Sequence, residues 1–304
     1  MSQIDLYDKK NLAGAAFLSG CGAFFIFLAM CSPLKLALYF IGLPIFIAYL
    51  AYGNKNAGIS ALALTILLFF STALEISIDI FLNIIAPAIL LGHLSIKNIQ
   101  MRRKTWWYPE TYMLQYLAAL SFISVAFLSM AFYSESSLIR NVEDAMNALL
   151  KPGDPNAVFL QKYLLSSVKY AVGIGTLIKM LITMLNFGLA HLIAKKIKKN
   201  IRPGFDFNHL TIHYSFAIFP LLSLTLAKIF HCLSFVCSGL FVVGLFAPAI
   251  NGFSAIHRFA KGSMRILIGF YAALLTITLP MAAVVVLIGI ISSFQAVSQK
   301  TDRA

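Results

Sequence analysis

Nine times along its 304 residues this chain runs for roughly 18 to 27 apolar, almost uncharged residues, and that repetition decides what it can fold into. The runs fall near 12–31, 35–52, 57–74, 77–94, 111–133, 170–194, 210–230, 232–256 and 266–292. A helix crosses a hydrocarbon core of about 30 Å in about 20 residues, so each run is long enough to span or nearly so. A water-soluble domain has no interior for them, because 60% of the residues are hydrophobic and 12% are charged. The expected fold is all-α: a polytopic transmembrane helical bundle of eight or nine spans, forming one integral membrane domain over 1–304. Within it, 57–94 reads as two short helices or a broken hairpin, and Lys228 and His231 are the only polar break between the seventh and eighth runs.

Lys9 and Lys10 precede the first run, and "LSGC" at 18–21 has the form of a lipoprotein cleavage box. The apolar "GAFFIFLAM" follows at once and completes a span, so the first helix is expected to stay.

The net charge of +13 is not spread over a face. Segments 95–110, 195–209 and 257–265 hold four, five and three Lys/Arg against only Glu110 and Asp206. Short basic loops of this kind stay in the cytoplasm. Nine spans put all three on one side with the N-terminus, and send the C-terminus and 134–169 outside. The charge thus fits a positive-inside membrane protein beside anionic headgroups, with no nucleic acid partner. In the outer loop Leu138, Val142, Met146 and Leu149 recur at helical spacing until "KPGDP" at 151–155, which predicts an amphipathic helix, either lying in the interface or acting as a lid.

Residues that carry chemistry are few. Pro44, Pro87, Pro220, Pro248 and Pro280 lie within runs, where each removes a donor from the carbonyl one turn back. Glu75 and Asp79 are four apart, on one helical face. Lys179 is 16 residues from Lys195, about 24 Å along a helix, which places it inside the outer boundary. Ionisable groups within a membrane are functional candidates. With Asn186 and Asn251 they define an expected substrate pocket of Glu75, Asp79, Lys179, Asn186 and Asn251, in the outer half of spans three, six and eight. The alternative is interfacial placement with snorkelling side chains.

Span eight is rich in Ser, Cys, Gly, Ala and Asn, which suits close helix packing or leaves room for a ligand. Cys21, Cys31, Cys232 and Cys237 have no zinc-site spacing, and His209 and His213 are a lone pair read as interfacial, so no metal and no cofactor is expected. The sequence contains no phosphate-binding Walker loop, nucleophile elbow, zincin motif or dinucleotide fingerprint. No catalytic residue is assigned, an enzyme is not expected, and any energy source is an ion gradient or a partner.

The stretch "RRKTWWYPE" at 102–110 places cations, aromatics and a proline in the order of a membrane border. Arg102 and Arg103 suit headgroups, Trp107 and Tyr108 the interface belt, and Pro109 the opening of a helix. This stretch and "NGFSAIHRFAKGSMRILIGFYAAL" at 251–274 resemble the YybS-like family of bacterial membrane proteins of unknown function. Trp107, Tyr108 and Pro109 match its first motif, where Glu110 and Thr111 replace the usual small residues, and His257, Arg258, Arg265 and Tyr271 fit the second. That family is distantly similar to substrate-capture subunits of energy-coupling-factor transporters and to MreD.

The resemblance implies a transporter-like helical fold, with Arg102, Arg103, Trp107, Tyr108, Pro109, His257 and Arg258 as cytoplasmic docking or anchor candidates. The partner implied is a coupling ATPase complex, or envelope-biogenesis proteins. The expected function is small-molecule binding or transport; the alternatives are a non-transporting scaffold for envelope biogenesis and a membrane enzyme acting on lipid.

Overall fold

The computed structural model describes residues 3–30, 35–101, 104–149, 163–197, 210, 212–213 and 215–301. Apart from one hairpin, the described residues are helices and the turns between them. In order they are α1 (Gln3–Met30), a 3-10 turn (Lys35–Phe40), α2 (Gly42–Tyr52), α3 (Asn54–Ser71) and α4 (Leu74–Ile80). A π-helical turn (Phe81–Ile85) leads into α5 (Ala86–Ser95), and the hairpin strands β1 (Asn98–Met101) and β2 (Lys104–Trp107) follow. Next come α6 (Glu110–Ala131), α7 (Glu135–Leu149), a 3-10 turn (Val168–Tyr170), α8 (Ala171–Ile197), α9 (Ser215–Ile229) and α10 (Ser234–Gly244). The chain continues as α11 (Phe246–Ala260), α12 (Met264–Thr276) and α13 (Thr278–Thr301).

Among the described residues, six helical stretches are long and apolar enough to cross a membrane: Leu12–Met30, Asn54–Ser71, Leu74–Ser95, Glu110–Ala131, Tyr163–Ile197 and His231–Ala260. Four apolar helices are shorter: Leu36–Tyr52, Ser215–Ile229, Met264–Leu274 and Pro280–Phe294. This is the helical bundle of an integral membrane protein.

Three of the runs restart as a helix with a proline in its first turn. Pro44, Pro248 and Pro280 each sit in the first turn of a helix, α2, α11 and α13, where a missing N–H removes no helical bond. They restart helices rather than bend them. The expected single span 266–292 is therefore two helices, parted at Ile277, and the run 232–256 turns at Leu245. Ahead of α9 the Asn251 amide holds both backbone groups of Ile212, accepting from its N–H at 2.7 Å and donating to its carbonyl at 3.0 Å. Pro220 lies inside α9, and Pro87 lies within the continuous stretch Leu74–Ser95, just after the π-turn. The segment 57–94 is two helices, α3 and α4–α5, joined through Thr72 and Ala73, with the Ser77 hydroxyl donating to the Leu68 carbonyl at the end of α3 at 3.3 Å.

Packing divides the chain into two compact units, Met1–Leu120 with Ile178–Phe205, and Ser121–Leu177 with Asp206–Ala304. In the first, Phe46, Ile45, Leu64, Leu68, Ile84 and Met113 form the buried core, and Phe46 meets Phe187 edge to face at 5.1 Å. Ser60 of α3 donates to the Ala15 carbonyl of α1 at 2.9 Å, tying these helices together.

In the second unit the helices approach through glycine. A Cβ added at Gly252 of α11 would overlap the Val285 carbonyl of α13, and one at Gly289 would overlap the Pro248 carbonyl. Gly173 of α8 meets the Gly239 backbone in the same way. The small residues of span eight thus serve close packing.

Gly289→Ala is expected to lower the unfolding temperature in detergent micelles. Gly269→Ala, with open space at its Cβ, should leave it level or raise it slightly through the better helix propensity of alanine. Circular-dichroism melts of both variants check this; equal melting would remove the close crossing.

Candidate functional site

One polar cluster lies within the first unit's spans. Residues 179, 183 and 186 are spaced i, i+4 and i+7, so they share one face of α8. Each reaches a different break or charge. Lys179 Nζ donates to Asp79 Oδ1 at 2.7 Å and Oδ2 at 2.5 Å, and the two side chains are 11% and 13% exposed. The Asn83 amide, one turn along from Asp79, donates to Asp79 Oδ1 at 2.7 Å. The carboxylate thus accepts from a cation and a neutral amide together, the arrangement that makes a buried charge tolerable.

The same face repairs the backbone. Pro87 has no N–H to offer the Asn83 carbonyl four residues back, and the π-turn before it has already shifted the ladder there. Thr183 Oγ1 donates to that carbonyl at 3.3 Å. Where the 3-10 turn ends and α2 begins, Asn186 Nδ2 donates to the Tyr39 carbonyl at 2.8 Å. The Asn186 side chain is fully buried, and its Oδ1 has no hydrogen-bond donor.

Of the expected pocket residues, Asp79, Lys179 and Asn186 come together, and they do so between spans two, four and six rather than three, six and eight. Glu75, one turn before Asp79, is exposed and takes no part. Asn251 lies in the second unit, where it clamps Ile212 and donates to Ser293 Oγ at 2.7 Å, so its amide is a structural brace. Asn83 and Thr183 were missed, although the i, i+4 spacings to Asp79 and Lys179 pointed to them. The Tyr39 carbonyl has no signature in sequence.

A separate cavity of about 370 Å³ in the first unit is lined by Phe17, Cys21, Phe25, Leu43, Ile47 and Tyr52, among others, and contains none of these polar groups. Among the described residues no three His, Cys, Asp or Glu side chains gather as a metal site.

The border candidates divide as well. Arg102 and Arg103 lie outside the described residues. The stretch around them is a hairpin, with Asn98 opposite Trp107 and Met101 opposite Lys104, closed by the Tyr108 N–H donating to the Lys97 carbonyl at 3.1 Å. It is the only β-structure among the described residues. Pro109 precedes α6, and its carbonyl accepts the Met113 N–H at 3.3 Å. Tyr108 and Tyr112 pack with ring centroids 6.2 Å apart, and a hydrogen bond with Tyr116, aided by burial, pushes the Tyr108 phenol above its ordinary range. His257 and Arg258 are at the end of α11. No protein-family model, curated protein or solved structure matches the chain.

Lys179→Met is expected to destabilise the protein by about 3 kcal/mol or more, because it leaves the Asp79 carboxylate buried and uncompensated. Asp79→Asn combined with Lys179→Met should recover most of that loss. Chemical unfolding in detergent measures both, and a double variant no more stable than the single one would contradict the pairing.

Proposed function

We propose that this chain is a multi-pass protein of a bacterial inner membrane that binds or moves a small molecule in the manner of a substrate-capture subunit, with the polar face of α8 as its binding centre. One observation carries the reading: a charged pair, Asp79 and Lys179, stands within apolar spans. Desolvation offsets most of the attraction in such a pair, so packed hydrophobic residues would hold the helices together as well. Charge retained in hydrocarbon marks a place where polar cargo or ions are handled. The buried Asn186 Oδ1, an acceptor without a donor, supports the same reading by offering a ligand a hydrogen bond.

In this reading the N-terminus and the basic segments 95–110, 195–209 and 257–265 face the cytoplasm, and α7 lies outside. The span count is nine, counting short and interrupted helices as crossings. The resemblance to the YybS-like family supports a coupling ATPase as the partner that docks on the basic side. A scaffold for envelope biogenesis is the second reading, favoured by the hairpin that places Trp107 at the end of β2.

Small molecules retained by the purified protein should differ between wild type and the Asp79→Asn, Lys179→Met double variant. Untargeted mass spectrometry of denatured, extracted samples is expected to show a species depleted in the variant; identical profiles would argue against a binding role for the pair. Proteins recovered with the chain in mild detergent separate the two readings. An ATPase pair with a coupling subunit is expected, whereas wall-synthesis or cytoskeletal proteins lost on Trp107→Ala, Tyr108→Ala would support the scaffold.

A further inference from the structure

The end of α11 and its turn into α12 draw polar groups from three helices. Arg258 Nη1 donates to Ser254 Oγ, one turn back on α11, at 3.0 Å, and Nη2 donates to Ser292 Oγ of α13 at 3.1 Å. His257 Nε2 and the Tyr271 hydroxyl of α12 are 2.9 Å apart, and the Tyr271 ring lies nearly parallel to that of Phe253, with centroids 6.4 Å apart. Hydroxyls of two serines thus hold the guanidinium, and a phenol meets the imidazole.

The turn itself is sharp. Lys261 takes the left-handed conformation at φ 46° and Gly262 follows at φ 81°. Arg258, Lys261 and Arg265 are all exposed around it. From 207 to 301 the chain contains no Asp or Glu. Interleaved with the cations are two apolar side chains, Phe259, 77% exposed, and Met264, 67% exposed.

We propose that this turn binds the phosphate of an anionic phospholipid headgroup. Arg258 supplies a planar fork whose plane the two serine hydroxyls fix, and a guanidinium of that kind matches two phosphate oxygens at once. Lys261 and Arg265 add positive charge at headgroup level, where each basic residue strengthens the attraction. Phe259 and Met264 distinguish a lipid from a soluble phosphate. Side chains of this size bury little while the turn faces water, but they enter the acyl layer when it rests on a bilayer surface.

Native mass spectrometry of the full-length protein in mild detergent tests this, with phosphatidylglycerol and phosphatidylcholine of matched acyl chains as probes. Wild type is expected to prefer phosphatidylglycerol. Lys261→Gln with Arg265→Gln, which leaves the Arg258 contacts in place, should weaken that binding by roughly fivefold for each charge removed, and Arg258→Gln by a similar factor. Lys195→Gln with Lys196→Gln should leave it near wild type. Unchanged binding in the turn variants, or an equal loss on removing Lys195 and Lys196, would overturn the site. Displacement of phosphatidylglycerol by millimolar inorganic phosphate would assign a soluble anion and overturn the lipid.

Discussion

A backbone carbonyl freed inside hydrocarbon has no water to turn to, and this chain interrupts its helices repeatedly. The first unit meets that constraint with one face of one helix. Thr183 serves the carbonyl that Pro87 cannot, and Asn186 serves the carbonyl left where a 3-10 turn becomes α2. The second unit meets it with Asn251, whose amide satisfies both backbone groups of Ile212 ahead of α9. Side chains placed to mend the backbone are also fixed in position, which is the condition a binding site needs.

The charged pair belongs to that same face. Lys179 is one turn from Thr183, and Asp79 one turn from Asn83, so a single register between α8 and the α4–α5 segment brings charge to charge and hydroxyl to carbonyl together. A helical step of one residue in either would turn every one of these groups away, since neighbours along a helix point about 100° apart. The polar contacts thus set a register that apolar packing alone leaves loose.

Helical membrane character was legible in the sequence because span length is a property of composition, and the runs at 12–31, 111–133 and 170–194 emerge as long helices for that reason. The prolines were seen and their effect misjudged. A proline inside an apolar run reads as a bend, but Pro248 and Pro280 follow enough β-branched or flexible sequence for the chain to stop and restart. Asp79 and Lys179 were visible as ions in the wrong solvent. Which spans they join was not, because pairing over 100 residues depends on packing, and the glycines that decide packing carry no side chain to read. The hairpin at 98–107 escaped because a basic, aromatic border sequence scores as an anchor whatever its backbone does.

The glycine crossing of α11 and α13 has a mechanical meaning. With backbone against backbone there is no layer of side chains to shear, so the two helices cannot slide past one another as cushioned helices do. They behave as one strut. Motion within the second unit is therefore left to the joints on either side of it, Leu245 before α11 and Ile277 before α13, where the helical ladder is already interrupted. The basic turn sits between those joints, carried on the strut, so any contact that held that turn would also fix the lever about which they open.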